Sequence, residues 1–209
     1  MKRKRILLAD DHKFITEGLK SLLDPDYDVV GIVSDGKALV EEAARLKPDV
    51  IVADISMPRL NGIEAIRQVV EQNSQARIIV LTMHPDITYA TRALEAGAAG
   101  YVLKHSAPQE LIQAIEVSLV GKKFITERIK SELDATPHTR QDPVRKLTRR
   151  QREVLQLLAE GNSAKQVGDI LNISARTVEF HKYNIMEELG IHNSAELVQY
   201  AIKLGIVSI

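Results

Sequence analysis

Five polar side chains in the first half of the chain would handle a phosphoryl group if the fold gathered them. Asp10 and Asp11 follow the apolar run ILLA, Asp54 ends DVIVAD, Thr82 ends RIIVLT, and Lys104 ends GYVLK. Three clustered carboxylates repel one another and favour a hard divalent cation with oxygen ligands, such as Mg²⁺. An aspartate beside such a cation is a nucleophile toward phosphorus, forming an acyl phosphate. A fixed ammonium and a hydroxyl next to it stabilise the phosphoryl oxygens as charge develops on them. Taken singly, an Asp at the end of an apolar run is usually a cap or turn former, and a Lys there usually points to solvent. Five such residues closing the apolar runs of one chain are not expected by chance.

The scaffold that would gather them is written in the hydrophobic pattern. Short apolar, β-branched runs stand at 5–10, 28–33, 49–54, 77–82 and 100–104. That is the pattern of parallel strands buried on both faces. Segments of helical period lie between and after them. In 13–23, Phe14, Ile15, Leu19, Leu22 and Leu23 recur at helical steps, and 36–46, 62–72, 87–96 and 108–120 complete the alternation. Turn residues mark the joins at Asp24-Pro25, Lys47-Pro48, Asn61-Gly62, Gly97 and Gly100. A fivefold strand–helix alternation predicts a doubly wound α/β fold with a five-stranded parallel sheet. Right-handed crossovers leave 2-1-3-4-5 as the natural strand order. The first and third strands are then neighbours, so Asp10, Asp11 and Asp54 meet at the switch point beyond the strands' carboxyl ends. Thr82 and Lys104 project at the same edge.

The set Asp10-Asp11, Asp54-x-x-Met57-Pro58, Thr82 and Lys104 resembles the receiver domain of bacterial response regulators over residues 1–120. The resemblance implies that Asp54 is the phosphoacceptor. It implies Asp11 as the main Mg²⁺ ligand, helped by Asp10, with Asp54 and the backbone carbonyl of Ser56 completing the set. Lys104 and Thr82 would contact the phosphoryl group. Thr82 and Tyr101 would form the switch, Thr82 moving toward the phosphoryl group while Tyr101 turns inward, a local charge change biasing a two-state element. From the residues alone, Tyr101 reads equally well as a half-buried core tyrosine. Ser56 and His84, two residues after Asp54 and Thr82, stand where such receivers screen or admit the attacking water, and are expected to tune the lifetime of the phosphoryl group.

Past residue 120 the pattern changes. Residues 121–146 read as a linker, partly helical over 126–134, with the polar stretch TPHTRQDP (136–143) bracketed by prolines. Over 147–209 there is no strand pattern, and four helices fit 149–160, 164–171, 175–189 and 195–204. Thr148 with Gln151 and Ser163 with Gln166 are capping boxes, and Asn193 with Glu196 repeats the idea with an Asn cap. Gly161, Asn172 and Gly190 stand just past helix ends, where a left-handed residue is wanted. Val167, Ile170, Leu171, Ile173 and Val178 are spaced to bury the angle between a helix and the longer helix after it. That is a helix-turn-helix pattern, although an ordinary αα-hairpin is its commoner meaning. On a wheel of 175–189, Val178, Ile185 and Leu189 share one face, and Arg176, Phe180, Tyr183 and Glu187 the other, with Glu179 and Asn184 on its flanks. Exposed aromatic rings there would contact thymine methyls or sugars in a major groove, or pack on the first domain. His181 lies toward the buried side and is read as structural.

The stretch from LTRRQREVLQLLAEG to IMEELGI resembles the four-helix LuxR-type output domain over roughly 146–207, and with the receiver it makes the whole chain similar to the NarL/FixJ class of regulators. The resemblance implies that Glu179, Phe180 and Tyr183 face the bases. It implies that Lys165, Arg176, Thr177 and Lys182 contact phosphates, which position rather than specify. The final helix would serve dimerisation. A sensor histidine kinase would donate the phosphoryl group, and the phosphorylated homodimer would bind double-stranded promoter DNA. Two aromatic residues and one acidic residue at base-facing positions depart from the smaller or basic residues of many relatives.

Bulk composition agrees with this class and excludes others. An apolar fraction of 44% suffices for cores in two domains. The chain has no cysteine, which excludes a disulfide scaffold, a thiolate metal site and a cysteine nucleophile, and fits a reducing, cytoplasmic location. The zero net charge hides a split: 14 basic and 17 acidic residues over 1–120, against 9 basic and 7 acidic over 144–209. A mildly basic second half permits nucleic-acid binding. The run after MKRKR is too short for a secretory core, and no stretch approaches membrane-spanning length, so no membrane association is expected. Two other functions remain to be weighed. A Mg²⁺-dependent phosphatase using Asp54 would usually carry a second carboxylate where this chain has Ser56, and would leave the carboxyl-terminal helices unexplained. A regulator that binds DNA independently of phosphorylation would not need the intact acidic set. Beyond phosphorylating and dephosphorylating itself, the protein is not expected to be an enzyme.

Overall fold

β-Branched residues suit a pleated, packed surface, and the apolar runs of the first half form strands in the computed structural model, which describes residues 3–106, 108–135 and 146–207. They are β1 (Lys4–Ala9), β2 (Tyr27–Val33), β3 (Val50–Ala53), β4 (Ile78–Thr82) and β5 (Gly100–Leu103). All pair in parallel in the order β2-β1-β3-β4-β5, the doubly wound order read from the sequence. β3, β4 and β5 are buried along their whole length, which is why their sequences are unbroken apolar runs. Between and after them lie α1 (Lys13–Leu23), α2 (Gly36–Leu46), α3 (Gly62–Gln72), α4 (Ile87–Ala96) and α5 (Pro108–Leu119). One core joins Leu39, Ile66 and Ala93 of α2, α3 and α4 to Leu7, Ile51, Ile78 and Val80 of the sheet. The other joins Leu23, Leu111 and Ile115 of α1 and α5 to Ile6, Leu8, Val52 and Ile79.

Local chemistry sets where the helices begin. Asp35, Asn61 and Asp86 cap α2, α3 and α4 by accepting from the backbone N–H of Ala38, Glu64 and Thr88, each cap contributing about 1 kcal/mol. Two glycines at helix starts let the chain close on the loop after β3. A Cβ on Gly36 would lie 1.9 Å from the carbonyl oxygen of Leu60, and one on Gly62 would lie 2.0 Å from that of Asp54. No side chain fits at either place without moving the loop that carries Asp54.

Three expectations are corrected. The sheet has six strands rather than five: Phe124–Ile125, inside the stretch read as linker, forms β6 against β5, with Tyr101 opposite Ile125. Backbone N–H groups of Phe124 and Thr126 donate to the carbonyls of Ala99 and Tyr101 at 3.1 and 3.0 Å. A strand of two residues leaves no periodic run to read. The helix after it, α6 (Glu127–Ala135), buries Ile129 completely in the same core as Ala90, Ala93 and Tyr101, with Leu133 packed against it. The stretch TPHTRQDP lies outside the described residues. Phe14, counted among the apolar periodic residues of the first helix, is 86% exposed. It lies two positions, or about 200°, from buried Thr16 and so points away from the sheet. Ile170 is the third, and belongs to the second unit.

The chain divides into two compact units, 1–137 and 138–209. The second is all helical among the described residues: α7 (Arg149–Ala159), α8 (Ala164–Leu171), α9 (Ala175–Leu189) and α10 (Ser194–Lys203). Thr148 and Ser163 form complete capping boxes with Gln151 and Gln166, and Asn193 caps α10. Asn172 and Gly190 end α8 and α9 in the left-handed conformation. Val154, Leu155, Val167, Leu171, Val178, Ile185, Leu197 and Ala201 form one core. The turn between α8 and α9 folds tightly onto Gly168, where a Cβ would sit 2.7 Å from the carbonyl oxygen of Ile173. The same contact explains Ile170, expected in that angle and found 38% exposed. With Gly168 facing the turn, Ile170 lies about 200° further round the helix.

Candidate functional site

The acidic cluster follows from strand register. Ala9 pairs with Ala53, so the next residues, Asp10 and Asp54, come out side by side at the carboxyl edge, and the Asp54 N–H donates to the Ala9 carbonyl at 2.8 Å. Both side chains are buried, whereas Asp11 turns partly to solvent. Lys104 continues β5, its N–H donating to the Thr82 carbonyl at 2.8 Å. Its ammonium, on a side chain only 7% exposed, stands 2.6 Å from Oδ2 of both Asp10 and Asp54. Burial by itself would lower the pKa of this lysine. The charges of Asp54 and Asp10 and their hydrogen bonds outweigh burial and hold it above its ordinary value. The second oxygen of Asp54 accepts from the Ile55 N–H at 2.6 Å.

His12, which the sequence reading passed over, joins the rim. Its Nδ1 lies 2.8 Å from Asp11 Oδ1 and 3.1 Å from Asp10 Oδ1. One ligand atom from each of Asp10, Asp11, His12 and Asp54 falls within 4.8 Å of the others. This acidic pocket is able to bind a metal ion, and three carboxylates out of four groups suit a hard divalent cation. The cue for His12 was its place directly after two aspartates at a strand end.

A second set of side chains closes over the cleft. Thr82 is wholly buried and its Oγ1 accepts from the His84 N–H at 3.3 Å. His84 Nε2 and Ser56 Oγ are 2.8 Å apart, and the His84 ring stacks on Tyr89 with centroids 4.3 Å apart and planes 8° from parallel. The Tyr101 hydroxyl donates to the His84 carbonyl at 2.7 Å. Tyr101 is wholly buried rather than half-buried, and its ring points inward. Burial lowers the pKa of His84, with Lys104 adding and Asp54 and Asp86 opposing. Burial above all pushes the Tyr101 phenol far up. His84 thus ties the loops after β3 and β4 together, and links both to α4 and β5.

In the second unit, Ser174 caps α9 and orients it. Val178 and Ile185 are buried, and the opposite side is open, with Phe180 and Tyr183 exposed by 62% and 66%. Arg176 and Glu179 share that open side, and Lys165 is exposed on α8. Thr177 is half-buried, its Oγ1 2.8 Å from Ser174 Oγ in the cap. Lys182 lies at the edge, its Nζ 4.0 Å from Glu179 Oε2. His181 is half-buried.

A doubly wound domain with this cleft, followed by a helix-turn-helix unit, defines a response regulator. The family description "Response regulator receiver domain" matches residues 6–116, and "Bacterial regulatory proteins, luxR family" matches 145–201. The chain is 33% identical to the transcriptional regulatory protein DegU of Brevibacillus brevis, over 98% of this chain and 95% of that protein. Among solved structures it is similar to RcsB from Salmonella enterica serovar Typhimurium bound to promoter P1flhDC with phosphomimetic BeF3⁻, at 29% identity and a TM-score of 0.59, over 95% of this chain and 98% of that one. It is also similar to a structure of two RcsB dimers bound to two parallel DNAs, at 30% identity and a TM-score of 0.61, over 95% of this chain and 98% of that one. The protein belongs to the response regulators that join a receiver domain to a LuxR-type DNA-binding domain. No helix among the described residues is long and apolar enough to cross a membrane.

Proposed function

We propose that this regulator takes a phosphoryl group on Asp54 from a sensor histidine kinase in the cytoplasm, and then binds double-stranded promoter DNA as a homodimer. The observation that carries the proposal is the Lys104 ammonium 2.6 Å from both Asp10 and Asp54. A fixed cation at the nucleophile is what a transferring phosphoryl group requires. Asp10, Asp11, Asp54 and the Ser56 carbonyl would hold Mg²⁺, which when bound neutralises phosphoryl oxygens. The Asp54 carboxylate attacks phosphorus, and the bond from phosphorus to the donor's imidazole nitrogen breaks. Lys104 keeps its hold on Asp10 and meets a phosphoryl oxygen in place of Asp54 Oδ2. The Thr82 hydroxyl, at the end of β4, donates to another. Because Thr82 accepts from the same residue whose carbonyl holds Tyr101, movement of Thr82 is felt at Tyr101. Ser56 and His84 bridge the mouth and govern the access of water. The chemistry is confined to the protein's own phosphorylation and dephosphorylation.

In the second unit, Lys165, Arg176, Thr177 and Lys182 would position the protein on phosphates, while Glu179, Phe180 and Tyr183 face base edges. DNA-bound and dimeric RcsB structures among the similar proteins support both the target and the homodimer. The test is direct: a small phosphodonor with Mg²⁺ adds the mass of one phosphoryl group to the wild type and none to Asp54→Ala. A mutant that still gains that mass refutes the assignment.

A further inference from the structure

The centre of the open side of α9 is aromatic, where a helix that only gripped phosphates would carry cations. Phe180 and Tyr183 lie three residues apart, so they are neighbours on the helix surface, and they are the two exposed residues among the Phe and Tyr of the described residues 146–207. Beside them Glu179 and Lys182 approach to 4.0 Å and offset each other's charge. The two rings between these charged groups have no charge of their own to hold against a phosphate, and a phenyl ring has no donor or acceptor to match to a base edge. The apolar group that the major groove presents is the 5-methyl of thymine, and a phenylalanine contacts it well.

We infer that Phe180, with Tyr183 three residues further along the same face, reads thymine methyl groups, so that the half-site of this protein carries T·A pairs facing the two rings. The inference rests on the proposed DNA-binding role and names the sequence feature that role would select. An exposed aromatic pair is also what a protein partner would use as an anchor, and the test separates the two.

The full-length protein, treated with acetyl phosphate and Mg²⁺, selects duplexes from a random pool, and the enriched duplex is remade with deoxyuridine in place of thymidine. Only the methyl groups are removed. Binding by the wild type is expected to weaken about fourfold for each methyl contacted, the value of one buried methylene-sized group. Phe180→Ala is expected to lose affinity for the thymidine duplex and to lose most of the discrimination between the two duplexes. Phe180→Leu, which keeps an apolar tip, is expected to retain part of the discrimination. Arg176→Ala is expected to weaken both duplexes alike. Equal binding of the two duplexes by a wild type that still selects a sequence overturns the inference and leaves the DNA-binding role standing. Failure to enrich any duplex overturns that role as well.

Discussion

Replacing Lys104 by Met removes the cation lodged between Asp10 and Asp54 while keeping most of its packing. At 2.6 Å and an effective dielectric of about 20, each of its two attractions amounts to roughly 6 kcal/mol. Much of that is offset by the cost of taking three charges out of water. What the mutation exposes is the remainder: breaking a buried pair costs about 3–5 kcal/mol, because the surviving charges are left uncompensated. Lys104→Met is therefore expected to lower the unfolding free energy of the receiver unit by about 3–5 kcal/mol in chelator-treated buffer at neutral pH. Mg²⁺ should restore much of the loss, since a divalent cation takes over the neutralisation. Adding Asp54→Asn to the mutant should recover about 1–3 kcal/mol, the size of coupling usual for residues in direct contact. Asp54→Asn alone should change stability little, because Asp10 keeps Lys104 paired. The sign with pH follows from the raised pKa of Lys104. Its contribution is complete below the value of a free lysine, about 10.4, and is lost only as pH rises through the higher folded value. The gap between wild type and mutant should thus persist across the neutral range and close in strong alkali. Urea unfolding followed by circular dichroism measures all of these. A Lys104→Met protein as stable as wild type without metal, or a double mutant no more stable than the single, refutes the reasoning.

Three further outcomes are expected. Replacing both Ser56 and His84 by Ala removes the 2.8 Å bridge over the cleft and should shorten the life of phosphorylated Asp54, measured by loss of label; an unchanged rate ends the idea. Asp49 is held below the usual carboxylate range chiefly by the Arg5 N–H, with burial opposing and Lys4 assisting. Its contribution exists above about pH 3.9, the ordinary Asp value, and fades as pH falls through the lowered one, so Asp49→Asn should flatten the acid limb of a urea-midpoint profile. Ile129→Ala empties a fully buried site, a change of the kind that costs about 2–5 kcal/mol, and should speed amide exchange across α6 well beyond any change in β1; equal protection in wild type and mutant would show that α6 is held by other contacts.

Much of the fold was legible in residue order, for a physical reason. A strand covered on both faces must be apolar throughout, so β1, β3, β4 and β5 stood out, and the polar residues that close them stood out with them. Capping boxes at Thr148 and Ser163, and the left-handed stops at Asn172 and Gly190, are local bargains between a few neighbouring residues, and they were legible for the same reason. β6 was not. Its two residues have no period of their own and are held by the backbone of β5. Phe14 and Ile170 misled because a wheel gives an angle about the helix's own axis and says nothing of which neighbour covers it.

The chemistry divides along the same line. Residue types and their places at strand ends were enough to name Asp10, Asp11, Asp54, Thr82 and Lys104 as one set, and to put an aromatic pair on the open face of the last long helix but one. Only the folded chain decided that Lys104 sits between two carboxylates, that His12 joins the rim, that Tyr101 lies inward against the His84 carbonyl, and that α6 shares the core around Tyr101. Each of these depends on distances between segments far apart in the chain. Those distances are set by sheet register and packing, which no local pattern encodes.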